Sequence, residues 1–380
     1  MTSALIAPLF EPRLRKQIDR ALIFSVVALM AVSLYAIYFA TAAQPGGGLK
    51  YALRQGVFFI IGLILMVVVA AQDYSKFTRY APFLYIGNAL LLLAVRVLSP
   101  EINGARRWIP LPIPGMDFKL QPSEFAKVII ILTLAAYLAR LGPSIREFPN
   151  LIKTLLHVAL PVILIQLQPD LGTSLVLLAI WFGMVFLAGA DWRHLVGMIL
   201  VGALLFGVAW QTNLLKPYQK DRIYTFINPM NDPKGDGYHV LQSMTAIGGG
   251  QVSGQGLGHG VQTNGQFIPE NHTDFIFTVI GEETGFVGAA ILLATYALLL
   301  ARGIATVAES EDALGRLIAV GVVTLFAFHI VVNMGMTLGI MPVVGVPLPL
   351  ISYGGSAAWS MMVALGLLLG IHMRRHKILF

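Results

Sequence analysis

The sequence predicts an all-α, polytopic integral membrane protein of about ten transmembrane helices, with a long extracytoplasmic loop between spans seven and eight. Three observations predict it: the composition, a succession of apolar runs, and the placement of basic residues between those runs. Of 380 residues, 57% are hydrophobic and 12% are charged, where a soluble domain carries about 25% charged residues. A chain this apolar cannot hide its surface in one water-soluble core. A division by length into two or three domains therefore gives way to a single membrane domain over residues 1–380.

A spanning helix needs roughly 20 mostly apolar residues. Such segments occur at 20–42, 51–71, 77–98, 122–141, 153–169, 171–190, 194–211, 274–302, 315–340 and 354–373. The fifth and sixth are nearly continuous. They divide at Gln168-Pro169-Asp170-Leu171-Gly172, because Pro and Gly punctuate helices and the whole stretch is too long for one span.

Basic residues support that division. With both termini cytoplasmic, the inner set is Arg13, Arg15, Lys16, Arg20, Lys76, Arg79, Arg140, Arg146, Lys153, Arg193, Arg302, Arg316, Arg374, Arg375 and Lys377. The short outer loops carry only Lys50, Arg54, Arg96, Arg106, Arg107 and Lys119, and the last, 341–353, carries none. This is the positive-inside bias; the long loop 212–273 falls outside and is exempt from it. No short cleavable leader is evident, so the first span is read as retained. The net charge of +7 suits membrane anchoring and contact with membrane lipids, not nucleic acid. The chain has no cysteine, which excludes disulfides and thiolate metal sites. No internal repeat speaks for an inverted-repeat transporter.

Chemistry concentrates on the outer side. Loop 212–273 contains Gly248-Gly249-Gly250 and then Gly254, Gly256, Gly258 and Gly260, which let backbone pass close to backbone or to a ligand. It runs into Pro269-Glu270-Asn271-His272-Thr273-Asp274. Asp274 stands at the mouth of the eighth span, either capping the helix or serving as a general base in an outward cavity. Glu282 and Glu283 lie two turns deeper, where carboxylates face a cavity or a partner. Glu124 and Lys127 are i, i+3 on the fourth span and share a face. The pair either fixes helix packing or helps hold an anionic substrate. Asp170 caps span six or completes the polar pocket. Arg106 and Arg107 contact headgroups or clamp a diphosphate, with Lys119, Lys216, Lys220 and Arg222 adding charge on that side. The histidines show no metal-ligand spacing, so no metal or cofactor is assigned; a divalent cation on a diphosphate is allowed, without an identified site. These residues suit a large amphiphilic anion with a lipid tail. They do not choose between chemistry and transport.

The stretches NGARRWI at 103–109, QPSEFAK at 121–127, QPDLGTS at 168–174, HTDFIFTVIGEETG at 272–285 and PLPLISYGGSA at 347–357 resemble the SEDS family, the shape, elongation, division and sporulation proteins. The likeness covers nearly the whole chain. Within the family, YQKDRIYTFINPMNDPKGDGYHVLQS at 218–243 is similar to RodA-type members, while IGEE at 280–283 is the wording of FtsW-like ones.

The resemblance implies a peptidoglycan glycosyltransferase that polymerises lipid II at the outer face of the bacterial cytoplasmic membrane during cell elongation. It also implies a class B penicillin-binding protein as crosslinking partner, alongside other elongation-complex membrane proteins. It makes Asp274 the essential carboxylate and carries the family's QPSEFAK and QPDLGT charges onto Glu124, Lys127 and Asp170. Arg106, Arg107, Lys119, Arg222 and Glu282 join them as candidate substrate contacts. The rival readings are a lipid II flippase and a non-catalytic scaffold for the penicillin-binding protein.

Overall fold

The computed structural model describes residues 17–44, 46–101, 105–113, 116–212, 214–232, 235–268 and 271–375. Arg13, Arg15, Lys16, Asn103, Gly104, Pro269, Glu270 and Lys377 lie outside the described residues. Among those described, nine helices are long and apolar enough to cross a membrane, and a shorter apolar helix, Leu171–Leu187, makes the tenth expected span. In chain order the helices are α1 (Arg20–Ala40), α2 (Leu49–Ala71), the short α3 (Tyr74–Arg79), α4 (Ala81–Leu98), α5 (Pro122–Leu141), α6 (Phe148–Gln166), α7 (Leu171–Leu187) and α8 (Trp192–Gln211). They continue with α9 (Pro217–Ile227), α10 (Asp236–Gly250), α11 (Val261–Asn264), α12 (Ile276–Glu309), α13 (Ala313–Thr337) and α14 (Gly355–Met373).

The helices start and stop where local chemistry dictates. Pro122 opens α5, a position where its missing N–H costs nothing. Asp170 caps α7, accepting from the Thr173 N–H at 3.1 Å, so the fifth and sixth spans do divide at Pro169. Asp19 caps α1, accepting from the Ala21 and Leu22 N–H groups at 3.0 Å each, and it accepts from Arg302 Nε at 2.7 Å. Burial pushes the Asp19 carboxyl up, but the Leu22 N–H and Arg302 outweigh it and hold it below the ordinary value. That ion pair joins the start of α1 to the last turns of α12, at the end of the bundle where α14 also finishes.

Three features depart from the sequence expectation. Two strands, β1 (Ile109–Ile113) and β2 (Met116–Leu120), pair antiparallel, where only loop was expected. The long loop is largely built, holding α9, α10 and α11. The eighth span begins at Ile276 and runs to Glu309, not 274–302.

At 1.5 Å per residue, a 34-residue helix is on the order of 50 Å long, well beyond a ~30 Å hydrocarbon core. It is not continuous, because Gly285 sits at φ +63°. The break frees backbone groups that lipid cannot satisfy. The glycine-rich loop satisfies them instead. Gln255 and Gly256 donate to the Glu282 and Glu283 carbonyls at 2.9 and 3.2 Å, and Phe286 and Val287 donate to the Gln251 and Val252 carbonyls at 2.8 and 3.1 Å. A Cβ on Gly254 would fall 2.1 Å from the Glu283 carbonyl, so this approach requires glycine.

Helices α13 and α14 are the most deeply buried of the nine long helices, as expected near the centre of a bundle. Around them pack α2, α5, α7 and α12, and α1 packs on α12 and α2. Helix α8 is peripheral, with Leu195 its one buried residue. Between α13 and α14 the chain runs without helix from Pro342 to Pro349 and on through a turn to Tyr353. Its backbone is held by side chains. Asn333 donates to Val346 O at 2.7 Å, Tyr296 to Pro349 O at 2.6 Å, Ser33 to Ile351 O at 2.7 Å and Gln55 to Ser352 O at 3.4 Å.

Tyr296 is fully buried, and removing its hydroxyl strands a buried carbonyl. Tyr296→Phe is therefore expected to cost about 1–3 kcal/mol, read as a lowered thermal midpoint in detergent. An unchanged midpoint would show that this segment holds without that bond.

Candidate active site

The β1–β2 pair, the Pro169 turn, the 272–274 turn and the 345–357 segment enclose a cavity of about 580 Å³, inside the range of ligand pockets. Three carboxylates line it: Glu124, Asp170 and Asp274. Arg54, Arg107 and Lys119 line it too.

The carboxylates differ in environment. Asp170 is buried and committed to the start of α7, accepting also from the Thr173 hydroxyl at 2.9 Å and from Gln121 at 3.4 Å. Glu124 is buried and accepts from Lys127 Nζ at 2.8 Å, with Ser360 Oγ at 3.3 Å. Asp274 is the one left partly exposed. It stands two residues before α12, whose cap position is Phe275.

Asp274 is held by its backbone and by its surroundings. Asn333 donates to the Asp274 carbonyl at 2.8 Å while holding Val346 O. Ser352 Oγ donates to Thr273 O at 2.6 Å, and the Tyr353 N–H donates to His272 O at 2.9 Å. The 272–274 turn is thereby stitched to the 345–353 segment. Gly345 has φ +68°, and a Cβ there would lie 3.3 Å from the Asp274 Oδ2 atom. A side chain at 345 would crowd the carboxylate.

Behind Glu124 the charge is balanced. Lys127 is fully buried and does not line the cavity. Its ammonium contacts Glu124 and, at 3.3 Å, His329 Nε2. His329 Nδ1 lies 2.9 Å from Pro347 O, which can only accept. The proton therefore sits on Nδ1, and Nε2 accepts from Lys127. The sequence reading did not single out His329, because its partners come from distant segments. It also passed over Arg54, although Tyr51, Arg54, Gln55 and Phe58 follow the i, i+3, i+4, i+7 rule for one helix face.

Besides Lys127, which was a candidate substrate contact, four expected site residues stand differently from the sequence expectation. Arg106 is exposed, pairs with Glu101 at 3.7 Å and does not line the cavity. Arg222 lines a separate crevice with Phe226, Val240 and Met341. Glu282 is fully buried and accepts from the Gln262 and Thr263 N–H groups at 2.7 and 2.9 Å and from the Thr263 hydroxyl at 2.6 Å. It anchors the glycine-rich loop and its short α11, away from the cavity. Arg107 does reach the cavity, but its guanidinium donates to the Gln168 and Pro169 carbonyls and so braces the Pro169 turn. Among the described residues, no three His, Cys, Asp or Glu side chains are grouped to hold a metal ion.

A family model described as cell cycle protein, covering FtsW, RodA and SpoVE, matches residues 17–377. The peptidoglycan glycosyltransferase MrdB of Escherichia coli (strain K12) is 38% identical over 361 residues, 94% of each chain. The peptidoglycan glycosyltransferase RodA of Treponema pallidum (strain Nichols) is 34% identical, over 94% of this chain and 98% of that one. Among solved structures, a chain of a peptidoglycan synthase complex superposes with a TM-score of 0.81 at 35% identity, over 95% of this chain and 99% of that one. The rod shape determining protein RodA of Thermus thermophilus superposes with a TM-score of 0.68 at 31% identity, over 95% of this chain and 98% of that one. With the family model matched over nearly its whole length and relatives aligned end to end, the chain belongs to the FtsW/RodA/SpoVE family of membrane proteins, the SEDS family that its motifs resemble.

Proposed function

We propose that this protein is a peptidoglycan glycosyltransferase that polymerises lipid II at the outer face of the bacterial cytoplasmic membrane, with Asp274 as general base. The observation that carries the proposal is the one partly exposed carboxylate of the cavity, set among cations and held by two stitched turns. The relatives named as glycosyltransferases support it. So does the placement of basic residues in the loops away from the cavity, as expected if both termini are cytoplasmic.

The reaction needs one base and one in-line attack. Asp274 accepts the proton as the O4–H bond of the acceptor GlcNAc breaks. O4 bonds to the anomeric carbon of the donor MurNAc. The bond from that carbon to the phosphate oxygen breaks, and its electron pair leaves on undecaprenyl diphosphate. An α-linked donor gives a β-1,4 product without a covalent sugar–enzyme intermediate. A positioned base contributes roughly 10²–10⁴-fold. Orientation and charge on the leaving group supply the rest. Arg54 and Lys119 are the cavity cations that meet the diphosphate, and Arg107 shapes the wall beside them. Lys127 acts through Glu124 and does not touch substrate. Crosslinking then falls to a class B penicillin-binding protein, consistent with the likeness to a chain of a peptidoglycan synthase complex.

Lipid II polymerisation by the purified complex, with the partner's crosslinking site blocked, tests the reading. Asp274→Ala is expected to lower the rate at least about 10²-fold while leaving the thermal midpoint in place. Equal polymer from both proteins would remove Asp274 as base, and movement of lipid II across vesicles without polymer would favour transport.

The Glu124–Lys127 pair separates by stability. Lys127→Met leaves a buried carboxylate alone and is expected to cost about 3–5 kcal/mol. The double variant Glu124→Gln with Lys127→Met should regain most of that loss. A single variant as stable as the parent would contradict a sealed ion pair.

A further inference from the structure

The cavity has an aromatic corner that the transfer step above does not use. Tyr51 of α2, His272 of the 272–274 turn and Tyr353 of the 345–353 segment form a closed triangle of rings. The centroids of Tyr51 and Tyr353 are 5.2 Å apart, those of Tyr51 and His272 5.6 Å, and those of His272 and Tyr353 5.7 Å. All three line the cavity and are partly exposed. Beside them Phe58 and Phe118 are buried and also line the cavity: Phe58 lies 6.2 Å from Tyr353 and 5.6 Å from Phe118, which lies tilted at 4.7 Å from the partly buried Trp359. The triangle is thus braced by further aromatic rings. His272 precedes Asp274 by two residues, and Tyr353 is bonded to the same turn through its N–H.

Two sugars must meet in this cavity, and they differ in chemistry. The donor carries the diphosphate. The acceptor GlcNAc is neutral and presents a face of C–H bonds edged with hydroxyls. Aromatic faces carry negative charge density, which favours C–H bonds and opposes a phosphate. Tyrosine adds a hydroxyl at the rim of each apolar face, and the imidazole adds ring nitrogens. The cations that suit the diphosphate, Arg54 and Lys119, come from other positions on the wall. The sugar that gives up its proton must also be the one beside Asp274, and the triangle adjoins that residue.

We propose that Tyr51, His272 and Tyr353 form the acceptor-sugar subsite, stacking the GlcNAc whose 4-hydroxyl Asp274 deprotonates. The assignment rests on the glycosyltransferase reading. It separates the subsites by chemistry: an aromatic corner for the neutral acceptor and a cationic wall for the donor diphosphate.

A single-condensation assay on the full complex tests it. The donor is lipid II with its terminal 4-hydroxyl epimerised, which can give but not receive. The acceptor is a lipid II analogue with a methylene in place of the anomeric oxygen, which can receive but not give. Tyr353→Leu and Tyr51→Leu are each expected to raise the acceptor KM about tenfold, the loss of one aromatic contact, with the donor KM changed less than about twofold. Tyr353→Phe and Tyr51→Phe keep the ring packing and lose only a hydroxyl. They should raise the acceptor KM less, by about threefold, and they carry the test should a leucine variant lose its thermal transition. Donor and acceptor KM rising together, or neither moving, overturns the subsite while leaving the glycosyltransferase intact. A wild-type complex that forms no product overturns the function and this inference with it.

Discussion

The structure depends on one constraint: a stretch of chain without helix, 342–353, runs through the interior of a membrane bundle. Where its backbone groups are buried they cannot turn to water, and each one left alone costs several kcal/mol. The protein satisfies them with side chains from four separate helices. Ser33 of α1, Gln55 of α2, Tyr296 of α12, and His329 and Asn333 of α13 each reach a carbonyl of this segment. Function follows from the same bonds. Asn333 also holds the Asp274 carbonyl, and His329 also receives Lys127. The scaffold of the segment and the setting of the cavity carboxylates are one network.

That network explains how three carboxylates in one cavity take different tasks. Glu124 is neutralised by a buried lysine whose remaining donor capacity is directed at a histidine. Asp170 is used up by a helix start. Asp274 precedes its helix by two residues, lines the cavity and keeps part of its surface exposed. A second interruption, at Gly285, follows the same physics with a different solution. There the partners are backbone groups of the glycine-rich loop, which is why glycine and not a polar side chain appears at 254. Glu282 then fixes that loop from the helix side.

Much of this was legible in the sequence. Hydropathy gave the spans, and Pro169 followed by a capping Asp170 gave the most difficult boundary. The i, i+3 spacing placed Glu124 and Lys127 on one face. What was not legible depended on contacts between distant segments. Nothing near Glu282 indicates that Gln262 and Thr263 come back to it across the loop. Arg222 belongs to a basic cluster by sequence and to a different crevice in space. The β1–β2 pair was hidden by prolines at 110, 112 and 114, which argue against a central strand but allow an isolated edge pair. Arg54 was legible and passed over. Its register with Tyr51 and Phe58 marks a cavity face, but the charge was counted only toward membrane orientation.

The most direct measurement is a structure of the complex holding lipid II with an epimerised 4-hydroxyl as donor and the methylene analogue as acceptor. The account predicts the acceptor O4 within hydrogen-bonding reach of the Asp274 carboxylate, roughly 2.6–3.2 Å, with the diphosphate toward Arg54 and Lys119. A lipid tail or diphosphate filling the space beside Asp274, with both sugars outside the cavity, would contradict it.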